Sequence, residues 1–428
     1  MRKRHLLTFA LAVAVVIAGC TPGVATVVPG ESPTPSSVAA SSPSANVQPT
    51  PTDRPTPTPT ETPSPTTAAA PAPVPAGASP PQASDLDVAW CQGPCWPLSG
   101  RPLDGNANLR PMAVRLDNAI PSQPQAGLNS ADVVIDSIIE GCVNRLLAVF
   151  HSRGSPSLGA IRSARRYDLQ LLPMLRGVLA HVGASDEVNQ WIRDAAARGE
   201  FVDIDEYQFL PRIYPDYHQY YWRINWKPAP HNMYSSSVSL RAAANSAPGG
   251  SASVTVPSLG FLPGVTHEPT AGGFARSVPA TTVTFPSAGG QACPQGNNIL
   301  GYRDDYVPNY TYDAASRGYR RYASDRTTSD EYAKAPVLAR NVVVMWIRLD
   351  VTNVIASQGS WGVAYQVQPY TTGGGRLAVY RDGLRADGTW SRATSFDAFD
   401  LRNGEGEKIL LSPGQTWIHF VPTYWNVR

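Results

Sequence analysis

The stretch that decides the fold reads ADVVIDSIIEGCVNRLLAVF over residues 131–150. Its first half, 132–140, is dense in β-branched residues, which favour a strand. A short glycine-containing turn follows, and 145–150 return as a second strand, so we predict a β-hairpin. Such a hairpin brings Arg145 near Glu140.

The segments around this hairpin predict a mixed α/β domain over residues 85–245. Residues 110–117 alternate between apolar and polar side chains as a strand does. Leucines at helical spacing over 169–175 predict a helix, for which we expect Ser163 to be the N-cap. Residues 178–183 are short and apolar and end in glycine, which indicates a buried strand.

The C-terminal part, 301–428, consists of alternating segments separated by hairpin-turn pairs such as Asp382-Gly383. This pattern predicts an antiparallel β-rich domain, sandwich- or barrel-like. We expect 246–300 to be a loop-rich insertion or linker. The predicted fold class is therefore α+β, with the mixed α/β domain first.

The N-terminus has the pattern of an export signal. Three basic residues at 2–4 precede a mainly apolar run of 13 residues, 6–18. A membrane-spanning helix needs about 20 residues, so we assign 1–19 to a signal peptide. The run ends in Val16-Ile-Ala-Gly-Cys20, which resembles the lipobox of bacterial lipoproteins.

The lipobox resemblance implies lipidation of Cys20. The predicted location is the extracytoplasmic face of the cell membrane, with the protein held there by its lipid. An ordinary secretory signal with a chance cysteine is the alternative.

Residues 20–84 predict a disordered tether rich in proline, threonine and serine. This stretch contains 17 of the 41 prolines and has no aromatic residue. It cannot bury enough apolar surface to offset the entropy of ordering the chain. Its Thr-Pro repeats favour an extended chain that would lift the folded part away from a bilayer.

Four cysteines besides Cys20 predict two disulfides in an oxidising compartment. Cys91 and Cys95 flank a Gly-Pro turn and form one predicted pair. Cys142 and Cys293 form the other. Two further pairings of the four remain open, and so does a zinc site, although no CxxC pair or histidine cluster accompanies them. We expect no metal.

Charge and motifs narrow the function classes. A net charge of +2 excludes a strongly basic nucleic-acid binder, so we expect no nucleic-acid partner. The chain contains no GxGxxG, GxxxxGK[ST], HExxH or GxSxG motif. Nucleotide, hydride-transfer and serine-hydrolase chemistry therefore have no support, and we expect no cofactor.

Titratable residues of the first domain supply the candidate site. In the strand 132–140, the carboxylates of Asp132, Asp136 and Glu140 fall on one face. His181 ends a predicted strand, and His231 precedes a predicted helix. The candidates for acid–base catalysis are Asp136, Glu140, His181 and His231.

A cluster of arginines supplies candidates for ligand binding. Arg162 and Arg165 lie at a helix start, where cations oppose the helix dipole and need anions nearby. These anions are either the carboxylates of 132–140, as internal salt bridges, or a bound ligand. The ligand-binding candidates are Arg145, Arg162, Arg165 and Asn232.

Aromatic residues are dense over 201–227. They are typical either of a stacking surface for sugars or peptides, or of a long loop packed over the core.

Many short motifs in order resemble the YerB-type lipoproteins, a bacterial family with a two-part domain of unknown function. In the first part they are Arg110-Pro-Met-Ala-Val114, Pro124-Gln-Ala-Gly-Leu128, Ala131-Asp-Val-Val134, Arg145-Leu-Leu-Ala-Val-Phe150, Ile161-Arg-Ser-Ala-Arg165, His181-Val-Gly183 and Ala229-Pro-His-Asn232. In the second they are Thr311-Tyr-Asp313, Tyr319-Arg-Arg-Tyr322, Arg340-Asn-Val-Val-Val344, Gly388-Thr-Trp390 and Pro413-Gly-Gln-Thr-Trp-Ile418. Cys142 and the stretch 246–300 depart from the family pattern. The resemblance implies a secreted lipoprotein with two folded parts, and no established reaction.

Three functions remain open from the sequence. The first is a membrane-anchored binding module for a cell-wall polymer, a peptide or a partner protein of the envelope. The second is a hydrolase that acts on envelope glycan or peptide through the carboxylate and histidine candidates. The third is a purely structural role.

Overall fold

The structure is a computed structural model that describes residues 93–209, 220–263, 268–290, 299–359 and 362–428. Within these ranges it contains three α-helices and 22 strands. The helices are α1 (Arg166–Leu175), α2 (Asp186–Ala197) and α3 (Ser237–Ser246). The strands up to residue 246 are β1 (Met112–Leu116), β2 (Val133–Ile138), β3 (Asn144–Phe150), β4 (Leu158–Gly159), β5 (Val178–His181), β6 (Val202–Asp205), β7 (Trp222–Arg223) and β8 (Met233–Ser235).

The remaining strands are mostly antiparallel. They are β9 (Val278–Pro279), β10 (Thr282–Thr284), β11 (Pro308–Asp313), β12 (Gly318–Ala323), β13 (Arg326–Thr327), β14 (Ser329–Asp330), β15 (Ala335–Pro336), β16 (Leu338–Ala339), β17 (Asn341–Gly359), β18 (Gly362–Tyr370), β19 (Gly373–Arg381), β20 (Leu384–Arg392), β21 (Asp400–Asn403) and β22 (Thr416–Pro422). The predicted tether and signal peptide lie outside the described residues.

A 12-stranded sheet forms the centre of the described fold. Its main order is β21-β20-β19-β17-β22-β2-β3-β1-β5-β6, with β18 on β17 and β9 on β20. The predicted hairpin is its β2–β3 pair, in which Ser137 faces Arg145. The fold class is confirmed: α+β, with a mixed α/β part followed by an antiparallel β-rich part.

The C-terminal strand β22 joins the two parts of the chain. It runs parallel to β2 on one side and parallel to β17 on the other. All seven of its residues are buried, as expected for a mainly apolar strand with neighbours on both sides. Residues 85–245 and 301–428 therefore contribute strands to one sheet and side chains to one core. The domain boundaries themselves stay a prediction.

A smaller five-stranded sheet of β10, β11, β12, β13 and β16 accompanies the large one. The hydroxyl of its Tyr310 forms a 2.7 Å hydrogen bond with Nε2 of His419 on β22, and the ring of Tyr310 meets Trp417 edge to face. Trp390, Trp417 and Trp425 are all buried, so they serve the core. Trp361 lies outside the described residues.

Helix α1 begins later than the sequence suggested. Its N-cap is Arg165 rather than Ser163. The backbone before it is held as extended chain, because Arg162 N donates to Arg115 O and Ala164 N donates to Gly183 O. These two bonds keep 162–164 out of the helix, and Asp168 accepts from the backbone N–H of Arg165 at 2.8 Å instead. None of the helices in the described ranges is long and apolar enough to cross a membrane.

Candidate functional site

A group of charged side chains meets where strand β1 ends and strand β3 begins, beside the start of α1. We call it the Arg145 cluster. Its members are Asp117, Glu140, Arg145, Arg162, Arg165 and His231.

The sheet and three loops place these side chains. Asp117 directly follows β1, and Arg145 lies on the neighbouring strand β3. Glu140 lies in the turn between β2 and β3, where Gly141 adopts φ 75° and reverses the chain. Arg162 and Arg165 come from the extended segment before α1, and His231 comes from the loop between β7 and β8.

Asp117 is the buried centre of the cluster. Its carboxylate lies 2.6 Å from His231 Nδ1, 3.4 Å from Arg162 Nε and 3.9 Å from Arg145 Nη2. Burial alone would raise its pKa, but the hydrogen bond to His231 and the charges of Arg145 and Arg162 lower the pKa to about 2. Asp117 is therefore ionised at neutral pH.

Glu140 forms a two-point ion pair with Arg165. Arg165 Nε donates to Glu140 Oε2 at 2.9 Å, and Arg165 Nη2 donates to Oε1. Burial opposes ionisation of Glu140, but the charge and hydrogen bonds of Arg165, together with the charge of Arg145, lower the pKa of the carboxyl. A bidentate pair of this kind fixes both side chains.

The positive charge of Arg145 is only partly compensated by the neighbouring carboxylates. Its side chain is 8% exposed, and its best hydrogen bond goes from Nη1 to Ser163 O at 3.2 Å. Its Nε has no hydrogen-bond partner within the described residues. Burial and the nearby charge of Arg165 lower the pKa of Arg145 to about 9, against the opposing pull of Asp117 and Glu140.

The cluster as a whole also carries an excess of positive charge. Three guanidiniums face two carboxylates, which leaves an excess of one positive charge before His231 is considered. Arg162 and His231 reach solvent, with 26% and 21% of their side chains exposed. An excess positive charge that opens to solvent is chemically suited to hold a carboxylate or a phosphate.

Asp136 points away from this cluster into the core. It is fully buried and pairs with Arg321 at 3.1 Å, while Asn144 donates to both of its oxygens. Burial raises the pKa of Asp136 despite the pair with Arg321. Asp132 instead accepts from the backbone N–H groups of residues 151 and 152. The three carboxylates predicted to lie on one face therefore contact three separate sets of partners.

His181 and Asn232 also lie outside the cluster. His181 is fully buried between Asp203, 2.8 Å from its Nε2, and the carbonyl of Gly183. Burial alone would lower the pKa of His181, but the hydrogen bond and charge of Asp203 raise it to about 9. Asn232 accepts from Arg223 and donates to a backbone carbonyl of the same loop.

The structure therefore brings together Glu140, Arg145, Arg162, Arg165 and His231 of the predicted candidates, and it places Asp136, His181 and Asn232 elsewhere. Sequence reasoning missed Asp117 as the centre. The signal that points to it is a lone carboxylate at the end of a predicted buried strand, next to a loop.

The carboxyl groups of the cluster are poorly suited to general acid catalysis at neutral pH. A general acid needs a pKa near the working pH. The two carboxyl groups of the cluster, Asp117 and Glu140, both have pKa values below their ordinary range, because hydrogen bonds and nearby arginines stabilise their charged forms. The cavity beside Glu140 and Arg165 holds only about 20 Å³, space for about one water molecule. No group of three metal-ligating side chains occurs in the ranges that the structure describes.

A second group of side chains flanks the cluster on the loop between β7 and β8, which we call the Trp226 patch. Lys227 Nζ lies 2.6 Å from Glu331 Oε2 and also donates to two backbone carbonyls and to the Tyr234 hydroxyl. Glu331 Oε1 accepts from the indole N–H of Trp226 at 2.6 Å. Trp226 is 66% exposed.

Two of the predicted disulfide cysteines, Cys91 and Cys293, lie outside the described residues. The pairs Cys91–Cys95 and Cys142–Cys293 therefore stay predictions. Cys142 itself is buried in the turn between β2 and β3.

The protein is of the α+β class, with one large sheet built from both parts of the chain. Comparison of its sequence with family models identifies the family. The N-terminal domain model of "Protein of unknown function (DUF3048)" matches residues 98–250, and the C-terminal domain model matches 299–418. The two matches together cover more than half of the chain. The chain therefore belongs to this family, and the YerB-type resemblance seen in the motifs is confirmed.

A relative and a solved structure agree with this assignment. The chain is 23% identical over 318 residues to YerB of Bacillus subtilis (strain 168), named as a candidate lipoprotein, which covers 73% of this chain and 81% of the relative. A crystal structure of YerB protein from Bacillus subtilis has a TM-score of 0.60 at 22% identity, covering 78% of this chain and all of the other. This second likeness shows that the fold is shared.

Proposed function

We propose that this protein is a lipid-anchored, extracytoplasmic binding module whose Arg145 cluster holds an anionic group of a cell-envelope ligand. The observation that carries the proposal is the buried guanidinium of Arg145, whose nearest carboxylate oxygen lies 3.9 Å away and whose Nε has no hydrogen-bond partner within the described residues, beside a solvent-reaching Arg162. A buried charge without full compensation is costly to keep. A carboxylate or phosphate that enters the cluster would supply the missing charge.

Anchoring at Cys20 is supported by the export signal and the lipobox-like sequence before it. The relative that is named as a candidate lipoprotein supports it further. The proline-rich stretch 20–84 would then act as a spacer between the lipid and the folded part.

The anchor is tested by expression of the full chain in a bacterium, with membrane fractionation of wild type and Cys20→Ala. Wild type should sediment with membranes and the variant should be released. Retention of the variant on membranes to the wild-type extent would contradict lipid anchoring at Cys20.

Ligand binding is tested with solubilised bacterial cell-wall fragments and, separately, inorganic phosphate, by calorimetric titration. Arg162→Gln removes a partly exposed guanidinium and should weaken both interactions by about tenfold, a loss typical of one charged hydrogen-bonding group. Arg348→Gln is the matched control, because Arg348 is an exposed arginine paired with Asp350 elsewhere.

The structural alternative gives a different result. If the cluster only holds the fold together, Arg145→Met should lower the melting temperature while Arg162→Gln leaves both titrations at their wild-type values. That outcome would remove the case for a binding site here.

A further inference from the structure

We infer that the ligand of this site is an anionic saccharide, with a sugar ring stacked on Trp226 and its acidic group held by the Arg145 cluster. The inference rests on the proposed function of that cluster. It adds the class of ligand and a second contact point.

The first argument is the exposure of Trp226. With two thirds of its surface in solvent, the ring leaves an apolar area in water that most tryptophans bury. It sits on the exposed stretch of loop that also contains residues 225 and 228–230. Tryptophan is among the residue types that contribute most binding energy where they contact a partner.

The second argument is that the ring is held in place. Its N–H is fixed by Glu331, which is fixed in turn by Lys227 and by the hydroxyl of Tyr234. Tyr234 also meets the Trp226 ring edge to face, with centroids 6.2 Å apart. The ring is therefore a pre-organised platform, which lowers the entropic cost of binding.

The third argument is the distance to the anion site. Trp226 and His231 belong to one loop, five residues apart, so their Cα atoms lie at most about 18 Å from each other by chain length alone. Arg162 also reaches this loop, because its Nη1 donates to Pro230 O at 3.5 Å. A short oligosaccharide is long enough to bridge this separation.

The chemistry of the platform favours a sugar over a peptide. The indole N–H is already used by Glu331, so the ring offers its π face rather than a hydrogen bond. The C–H groups on one face of a pyranose carry partial positive charge and suit the negative face of an aromatic ring. The guanidiniums nearby then select a sugar that carries a carboxylate or phosphate.

The test compares wild type, Trp226→Ala, Arg162→Gln and Phe396→Ala by calorimetric titration. Phe396 is the matched control, because it is a half-exposed aromatic residue outside both groups. The probes are trigalacturonate, which carries one carboxylate on each ring, inorganic phosphate and hexaglutamate. Melting temperatures check that each variant is folded.

We expect Trp226→Ala to lower the affinity for trigalacturonate about tenfold or more, as loss of a central tryptophan contact does. The affinity for phosphate should not change. Arg162→Gln should weaken both, and Phe396→Ala neither. The affinity of Trp226→Phe, which keeps a smaller ring, for trigalacturonate should lie between those of wild type and Trp226→Ala.

Two outcomes overturn the inference and leave the proposed function intact. One is equal affinity of wild type and Trp226→Ala for trigalacturonate while Arg162→Gln still weakens phosphate. The other is Trp226-dependent binding of hexaglutamate without binding of trigalacturonate, which would indicate a peptide ligand. If Arg162→Gln changes no titration, the proposed function fails together with the inference.

Discussion

Arg321 donates from Nη2 to the carboxylate of Asp136 across 3.1 Å, and both side chains are fully buried. Asp136 lies on β2 in the large sheet, whereas Arg321 lies on β12 in the small one. The guanidinium also donates to Thr328 and lies 4.7 Å from the centre of the Trp417 ring. This ion pair therefore ties the two sheets together through the interior.

The first prediction concerns the loss of this pair. Arg321→Met leaves Asp136 buried without its counter-charge, so the free energy of unfolding at neutral pH should fall by about 3–5 kcal/mol. Urea unfolding measures this difference. Arg321→Met combined with Asp136→Asn should recover much of the loss, because the buried charge is gone.

A surface pair provides the control for this experiment. Arg385 and Asp387 lie 2.6 Å apart with the carboxylate largely in solvent. Arg385→Met should cost less than about 1 kcal/mol. Equal losses for the two single variants would show that the buried pair has no special role.

The second prediction is that stability decreases at alkaline pH because of His181. Its pKa in the folded protein is about 9, above the ordinary value of 6.5, since Asp203 outweighs the effect of burial. Its contribution is therefore complete below about pH 6.5 and is lost as the pH rises through about 9. We expect a loss of a few kcal/mol across this window. Urea unfolding at several pH values should show a flatter profile for His181→Gln, and parallel profiles would contradict the assignment.

The third prediction concerns acid. The pKa of Asp117 is about 2 in the folded protein against an ordinary 3.8, so its contribution is present above about pH 4 and is lost as the pH falls towards 2. The contribution is about 2 kcal/mol. The difference in unfolding free energy between wild type and Asp117→Asn should shrink by that amount from pH 5 to pH 2. A constant difference would mean that folding does not lower the pKa of Asp117.

Local signals in the sequence predicted the hairpin and the fold class well. The β-branched run at 132–140 and the return at 145–150 became β2 and β3 with nearly the expected bounds. Such patterns depend on side chains near one another in sequence, and a strand buried on both faces has little choice of conformation.

Contacts between residues far apart in the chain could not be predicted from the sequence. Nothing near Asp136 in sequence shows that Arg321 will neutralise it, and nothing near β2 shows that β22 will lie beside it. The late start of α1 has the same origin, because hydrogen bonds from the strands, not the local sequence, hold 162–164 extended. Contacts between residues far apart in the chain decided which candidate charges meet.

The fourth prediction tests the packing under the Trp226 patch. A Cβ on Gly159 would lie 2.5 Å from the ring of Tyr234, which no real contact permits. Gly159→Ala should therefore displace Tyr234 and cost about 1–3 kcal/mol. Gly404→Ala is the control, because no atom lies within 4 Å of the added Cβ there.

The displacement of Tyr234 has a second consequence. Tyr234 donates to Glu331 and accepts from Lys227, so Gly159→Ala should also loosen the support of Trp226. An unchanged melting temperature for Gly159→Ala would refute the crowding argument.

The last prediction is that Cys142 and Cys293 form a disulfide. Cys142 is buried, and its carbonyl accepts from Arg303 N at 2.8 Å, which brings the chain ten residues after Cys293 next to it. A bridge would close a loop of about 150 residues, worth roughly 4–5 kcal/mol in the loop-entropy model. Replacement of both cysteines by serine should lower the unfolding free energy by up to that amount. Peptide mapping without reducing agent should find the two joined, and a link from Cys142 to Cys91 or Cys95 would refute the pairing.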